Sequence, residues 1–178
     1  CAIFSRLVLQ LDKEYPNIHA LNGDVISSSG MNFYKLILGM TNCNFDYYAL
    51  CDQDDIWYSG KLERAVSFFK TDSVFGYSSG FTTFSSDGLK KSYSLGSQSQ
   101  LDYMFQAGGP GCTFVFSRQG FEYIQKYLLK HDRLCSVLAH DWLVYFIVRL
   151  NGKRWVIDNQ SSLLYRQHSA NVAGVNSG

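Results

Sequence analysis

Ile3, Phe4, Leu7, Val8 and Leu11 recur at the three-and-four spacing of an amphipathic helix, and Tyr15-Pro16-Asn17 then breaks it. The spacing predicts a helix over residues 1–14, entered partway without a cap, and a short strand over 18–21. Ser27-Ser28-Ser29-Gly30 reads as a loop capping a second helix, whose apolar stripe is Phe33, Leu36, Ile37 and Met40. Residues 46–51 form a short, nearly unbroken apolar and aromatic run, the pattern of a strand covered on both faces. That strand would leave Asp52 at its carboxyl end. A helix is predicted over 61–70 and a strand with a Ser/Gly-rich interior over 74–84. Residues 85–100 lack periodicity and read as a mobile loop. The glycine-rich segment 108–111 should turn into a strand over 112–116, followed by an amphipathic helix over 121–130. A mostly apolar, buried helix over 140–150 is stopped by Asn151-Gly152, and strands over 155–158 and 162–165 close the pattern. Alternating strands and helices predict an α/β layer architecture, without an internal repeat.

Composition narrows the field of functions. With 178 residues, 46% hydrophobic and 16% aromatic, the chain can bury one core, and a single domain over 1–178 is expected. The net charge of +1 and the lack of a basic block argue against nucleic acid as a partner. Cys1, Cys43, Cys51, Cys112 and Cys135 are widely spaced and without a C-x-x-C pair, so they read as reduced, buried, small apolar residues. No apolar run approaches the roughly 18 residues of a membrane helix, and the longest, Trp142 to Val148, stops at Arg149. The start at Cys1, in mid-helix, reads as a piece cut from a longer protein.

Candidate chemistry gathers after the 46–51 strand. Asp52, Asp54 and Asp55 repel one another, so a strand end holds them only where a cation or hydrogen-bond donors compensate. Hard carboxylate oxygens suit magnesium or manganese, which also accept phosphate oxygens, and open α/β sheets bind ligands at strand carboxyl ends. A solvated acidic turn capping the next helix fits the same four residues. Trp57 fits either the core or the wall of a sugar site.

The run Tyr48-Ala49-Leu50-Cys51-Asp52-Gln53-Asp54-Asp55-Ile56-Trp57, followed by Lys61-Leu62, resembles the "sDQDDiW…KL" segment of glycosyltransferase family 2. The likeness continues in Gly109-Pro110-Gly111-Cys112-Thr113, in His140-Asp141-Trp142 and in the run from Tyr165 to Val172, covering residues 10–174. The last two segments resemble the rhamnosyltransferases of bacterial surface polysaccharide.

This resemblance implies a GT-A fold, with a mixed central sheet flanked by helices. It also implies inverting transfer from a dTDP- or UDP-sugar to a saccharide or lipid-linked saccharide acceptor, in the cytoplasm or at the inner face of the membrane. In that frame Asp52, Asp54 and His168 hold Mn2+ or Mg2+, with Asp54 the more direct ligand of the two carboxylates. Asp55, Trp57 and Arg166 face the donor diphosphate and sugar, Gly109, Gly111, Cys112 and Thr113 form the acceptor loop, and Asp141 is the general base. Taken without the family, His140-Asp141 is a capping pair for the next helix, Arg166 a surface charge, His168 a structural or exposed histidine, and 108–111 a plain tight turn. The family's opening strand and its "sDDGS" strand, which hold base and ribose, have no counterpart before Cys1, so the resemblance implies an N-terminally truncated domain. Two further readings remain at this point. One is a non-catalytic nucleotide- or carbohydrate-binding remnant, and the other a different metal enzyme on an α/β sheet.

Overall fold

The computed structural model describes residues 2–20, 28–41, 44–70, 73–85, 88, 90–136 and 139–167. In chain order these form α1 (Ala2–Glu14), α2 (Ser29–Gly39), β1 (Tyr47–Ala49), β2 (Ile56–Trp57), α3 (Lys61–Phe69), β3 (Val74–Phe84), β4 (Lys90–Tyr93), β5 (Val115–Ser117), α4 (Arg118–Lys130), α5 (His140–Leu150) and β6 (Arg154–Arg166). The sheet order is β1-β5-β3-β6-β2, with β4 also paired to β3. Only β3 and β6 run parallel; the other pairings are antiparallel, so the sheet is mixed as expected.

Alternation along the central strands sorts side chains to two faces. Phe116 and Trp155 share one face with Phe114, and there meet the buried sides of α2, α4 and α5, including Phe33, Ile37, Phe121, Ile124, Leu143 and Ile147. Tyr77 and Val115, paired across β3 and β5, lie on the other face against Ala65 of α3, with Phe68 and Val156 beside them. Each large side chain removed from water in this way contributes about 1.5–3 kcal/mol. Ionic pinning reinforces the α3 side. Arg64 donates to both oxygens of Asp158 (2.5 and 3.0 Å), and the Tyr77 hydroxyl donates to the same carboxylate at 2.8 Å. Burial alone would raise the Asp158 pKa, but these donors and the Gln160 amide hold it below the usual carboxylate range.

Several sequence expectations are corrected. Residues 18–20 form no strand, and Leu21 lies outside the described residues. The Ile18 amide instead closes a turn on the Tyr15 carbonyl at 3.1 Å, and Ile18-His19-Ala20 offers little apolar surface to hold a strand. The 46–51 segment is not covered on both faces. In β1 only Tyr48 is buried, stacked on Phe121 at 3.9 Å, and Tyr47 and Ala49 are exposed. Among the described residues β1 pairs with β5 alone, so it is an edge strand whose outer face is apolar. The loop predicted over 85–100 contains β4, which continues the β3 ladder from Phe84↔Lys90 to Phe81↔Tyr93.

The strand predicted from 112 begins at Val115, because Gly111–Thr113 coils into a 3-10 turn. The two closing strands are one, β6. Its register against β3 jumps from Ser79↔Asp158 to Gly80↔Ser161, so the polar Asn159-Gln160 that looked like a break is a bulge. Cys112 and Cys135 are buried free thiols, but Cys51 is exposed; Cys1 and Cys43 lie outside the described residues.

The stop after α5 is as read from Asn151-Gly152. Gly152 adopts φ 65°, its amide reaches the Arg149 carbonyl (3.0 Å), and the Lys153 amide reaches that of Val148 (3.0 Å). Gly152→Ala must hold a left-handed conformation with a Cβ, and is expected to cost about 1 kcal/mol. Urea unfolding should show a lower midpoint at unchanged slope.

Candidate functional site

The acidic turn is placed by strands on both sides of it. The β1–β5 ladder continues into a bond from the Leu50 amide to the Phe114 carbonyl (3.1 Å), which carries Asp52 beside residue 112. Residues 53–54 turn, and β2 then pairs with β6 through Ile56↔Leu164 and Trp57↔Leu163. The Arg166 amide donates to Asp55 Oδ1 (3.3 Å) and Arg166 Nε to the Asp54 carbonyl (3.2 Å). One carboxylate oxygen each from Asp52 and Asp55 and the Cys112 Sγ lie within 4.8 Å of one another. The Asp54 carboxylate stands outside that trio. Asp55 Oδ2 is enclosed, with the Cys112 thiol as the donor beside the Asp55 carboxylate.

Charge in this hollow is poorly compensated. Burial, then the charges of Asp55 and Asp54, push the Asp52 carboxyl up to about 6. Burial also raises Asp55, against the opposing help of Cys112 and the Arg166 amide. The Cys112 thiol is driven up by burial and then by Asp55. Asp141 adds a further upward push on Asp52, so the carboxylate at the start of α5 is electrostatically part of the same site.

Asp141 stands in the first turn of α5. The residue preceding α5, Ala139, provides no side-chain cap, and Asp141 Oδ1 accepts the Trp142 amide at 2.7 Å. Asp141 therefore does satisfy a first-turn donor, as its capping reading implies, while its remaining acceptor capacity is not used by that bond. Neighbouring His140 stacks on Phe33 at 4.5 Å and meets Tyr34 edge-on at 6.5 Å. Burial pushes the His140 pKa down against the upward pull of Asp141, and its Nε2 is enclosed without a hydrogen-bond partner. A Cβ at Gly111 would collide with this imidazole, so the loop and α5 touch at a point that only glycine admits.

The rest of the loop is braced from below. The Thr113 amide and hydroxyl both donate to the Pro110 carbonyl (2.9 and 2.7 Å), and Ser78 Oγ donates to the Gly108 carbonyl at 2.5 Å. Gly109 has φ 119° and lies against Leu95. A second segment, over residues 98–106, is tied to α5 by bonds the sequence did not disclose. Tyr145 donates to Asp102 (2.5 Å), Arg149 pairs with Asp102 (3.2 Å), and Trp142 Nε1 donates to the Tyr103 carbonyl (2.8 Å).

Trp57 is partly buried against Phe81, Cys112 and Leu163, with Lys61 Nζ 4.9 Å from its ring, so it packs under the site. His168 lies outside the described residues, and Arg166, two positions earlier, ends on the acidic turn. Sequence reasoning gave Lys61 no role. It is 2% exposed at the start of α3, and the sequence marked it only as part of the Lys61-Leu62 pair that continues the family-like segment after the acidic turn.

No family model matches the chain. It is similar to the dTDP-rhamnosyl transferase RfbG of Shigella flexneri, 34% identical over 166 residues that make up 91% of this chain and 57% of the relative. The chain therefore spans somewhat over half the length of the curated relative that it matches, and the likeness supports a relationship to sugar transferases.

Proposed function

We propose that this chain is the metal and base side of an inverting glycosyltransferase of GT-A fold, in the rhamnosyltransferase-like branch of glycosyltransferase family 2. It would move a sugar, rhamnose by the relative's name, from a dTDP- or UDP-sugar to a saccharide or lipid-linked saccharide acceptor. The observation that carries the reading is the meeting of Asp52, Asp55 and Cys112 at one strand end, with the Asp141 charge felt there, in a chain similar to a rhamnosyl transferase over most of its length. The donor set fits a divalent cation: oxygens from two mutually repelling, partly buried carboxylates gathered with a thiol. Asp52 and Asp55 would hold Mn2+ or Mg2+, with Asp54 and His168 as further candidates; the thiol of Cys112 favours manganese of the two. The cation would supply neutralisation of charge on the leaving diphosphate.

Asp141 would accept the acceptor hydroxyl's proton as that oxygen attacks the anomeric carbon. Arg166, anchored on the acidic turn, offers the guanidinium for the diphosphate. The 109–113 loop borders the acceptor.

Among the described residues β1 pairs with β5 alone. Beside it lies a hollow of about 200 Å3 lined by Leu36, Ile37, Met40, Phe45, Tyr48 and Phe121, and Phe45 is 58% exposed. No helix among the described residues is long and apolar enough to cross a membrane, and we place the enzyme in the cytoplasm or at the membrane's inner face.

Manganese tests the reading on the chain itself. At roughly ten times its dissociation constant, the ion is expected to stabilise the chain by about 1.4 kcal/mol, raising the melting temperature by a few degrees. Magnesium should act more weakly. An unchanged melting temperature in millimolar manganese, with and without a nucleoside diphosphate, would remove the metal from the proposal. Transfer of labelled rhamnose from dTDP-rhamnose by an active parent would separate the enzyme from a binding remnant.

A further inference from the structure

We propose that Lys61 is a positioning residue of this site: its enclosed ammonium holds the backbone of the 110–114 loop against the acidic turn and so fixes where Cys112 and Thr113 stand relative to Asp52 and Asp55. The inference rests on the transferase reading for its consequence, but not for its geometry.

Lys61 Nζ donates to the Cys112 carbonyl (3.4 Å), the Thr113 carbonyl (3.2 Å) and Ser162 Oγ (3.3 Å). All three acceptors are neutral, the ammonium also meets the face of Trp57, and Asp55 acts on it through its charge without an ion-pair contact. An ammonium has three donors to spread over three directions, which no neutral side chain of this length offers. Burying it without a carboxylate partner is costly, so packing alone does not account for a lysine here; a methionine would fill the space without a charge to desolvate.

What the charge holds is specific. β5 starts at Val115, so the carbonyls of Cys112 and Thr113 lie before the strand. The first rung of the extended β1–β5 ladder on this side is the bond from Leu50 to the Phe114 carbonyl. Lys61 takes the place of strand pairing for the two preceding residues. Through Ser162, itself 2.5 Å from Ser79 Oγ, the same ammonium ties the loop to the centre of the β3–β6 pair. Since Lys61 follows β2 by a short connection, it joins three segments that come from distant parts of the chain: the acidic turn, the acceptor loop and the sheet.

The test exploits a difference in sign. A lysine that merely adds positive charge near the acids repels an incoming cation, so its removal would tighten cation binding. A lysine that positions the loop weakens binding when removed, because Cys112 and the turn lose their shared anchor. In this chain, Lys61→Met is expected to weaken Mn2+ binding about tenfold and to speed amide exchange at Cys112, Thr113 and Phe114 by about tenfold, leaving α4 amides unchanged. Mn2+ is followed by the paramagnetic signal of the free ion, exchange by mass spectrometry. Unchanged or tighter Mn2+ binding with unchanged loop exchange overturns the proposal.

If the unsubstituted chain takes up no Mn2+, the metal reading fails and the loop-exchange result alone decides the role of Lys61. Should Lys61→Met not fold, Ser162→Ala keeps the charge and removes one acceptor. About threefold faster exchange in the same three amides is then expected, and no change would sink the idea.

Discussion

Asp141→Asn is expected to lower sugar transfer about 10^3-fold in an active enzyme containing this segment, within the range that general base catalysis contributes. Three features of the site make the effect specific to chemistry. Asn keeps an oxygen at Oδ1 to accept the Trp142 amide, so the start of α5 is retained and stability should move by less than about 0.5 kcal/mol. His140 cannot replace Asp141 from its own position, since its ring is stacked on Phe33 and its Nε2 is shut against Gly111. Asp52 and Asp55 group with Cys112 at the strand end and, in the proposed reading, serve the cation. Donor binding should therefore survive the substitution while turnover falls, which single-turnover transfer with a labelled nucleotide sugar would separate. Transfer within about twofold of the unsubstituted enzyme would remove Asp141 from the base role.

How far the site was legible follows from which signals are local. The helix 140–150 and its glycine stop were read to the residue, because periodicity and a left-handed cap are both written in adjacent positions. The acidic turn was equally visible in Asp52, Asp54 and Asp55. What the chain hid was pairing at long sequence separation. The partnership of Asp55 with Cys112 rather than with Asp54 depends on the β1–β5 ladder, and β2, only two residues long, exists because β6 offers it an edge. β1 looked buried because aromatic residues occupy both of its faces, while only Tyr48 faces α4; the apolar outer face belongs to an edge. The bulge at Asn159-Gln160 was read as a break, since a polar pair inside a strand and a polar turn between strands have the same composition. Lys61-Leu62 continues the family-like segment, but the burial of Lys61 was hidden for a simpler reason: a lysine beginning an amphipathic helix is expected in water, and only three-dimensional closure buries it.

The second large effect is expected at Asp52, where stability and function should part. Asp52→Asn is expected to stabilise the cation-free chain by about 2 kcal/mol at pH 7, taking the upward shift of its carboxyl to about 6 from an unfolded value near 3.9 and discounting for water at the turn. The sign follows from proton counts. Between those two values the folded form holds a proton that the unfolded form has given up, so stability falls as pH rises from about 4 to about 6 and stays lowered above. Below pH 4 aspartate and asparagine should be equivalent. Asp158 acts in the opposite sense. Its lowered pKa gives stability above the unfolded value that is lost as pH falls through the folded one, and it should shape the acid limb of both proteins alike. Urea unfolding at intervals from pH 4 to pH 8 would thus give curves that coincide in acid and diverge towards neutrality. Manganese should then close the gap from one side, because it offsets the repulsion among Asp52, Asp54 and Asp55 only in the unsubstituted chain, and the asparagine variant should show no response. A variant less stable than the unsubstituted chain at pH 7 without cation would mean that the Asp52 carboxylate is held by structural donors. The acidic turn would then be an ordinary cap, and the energy stored there by mutual repulsion would not be available for binding a cation.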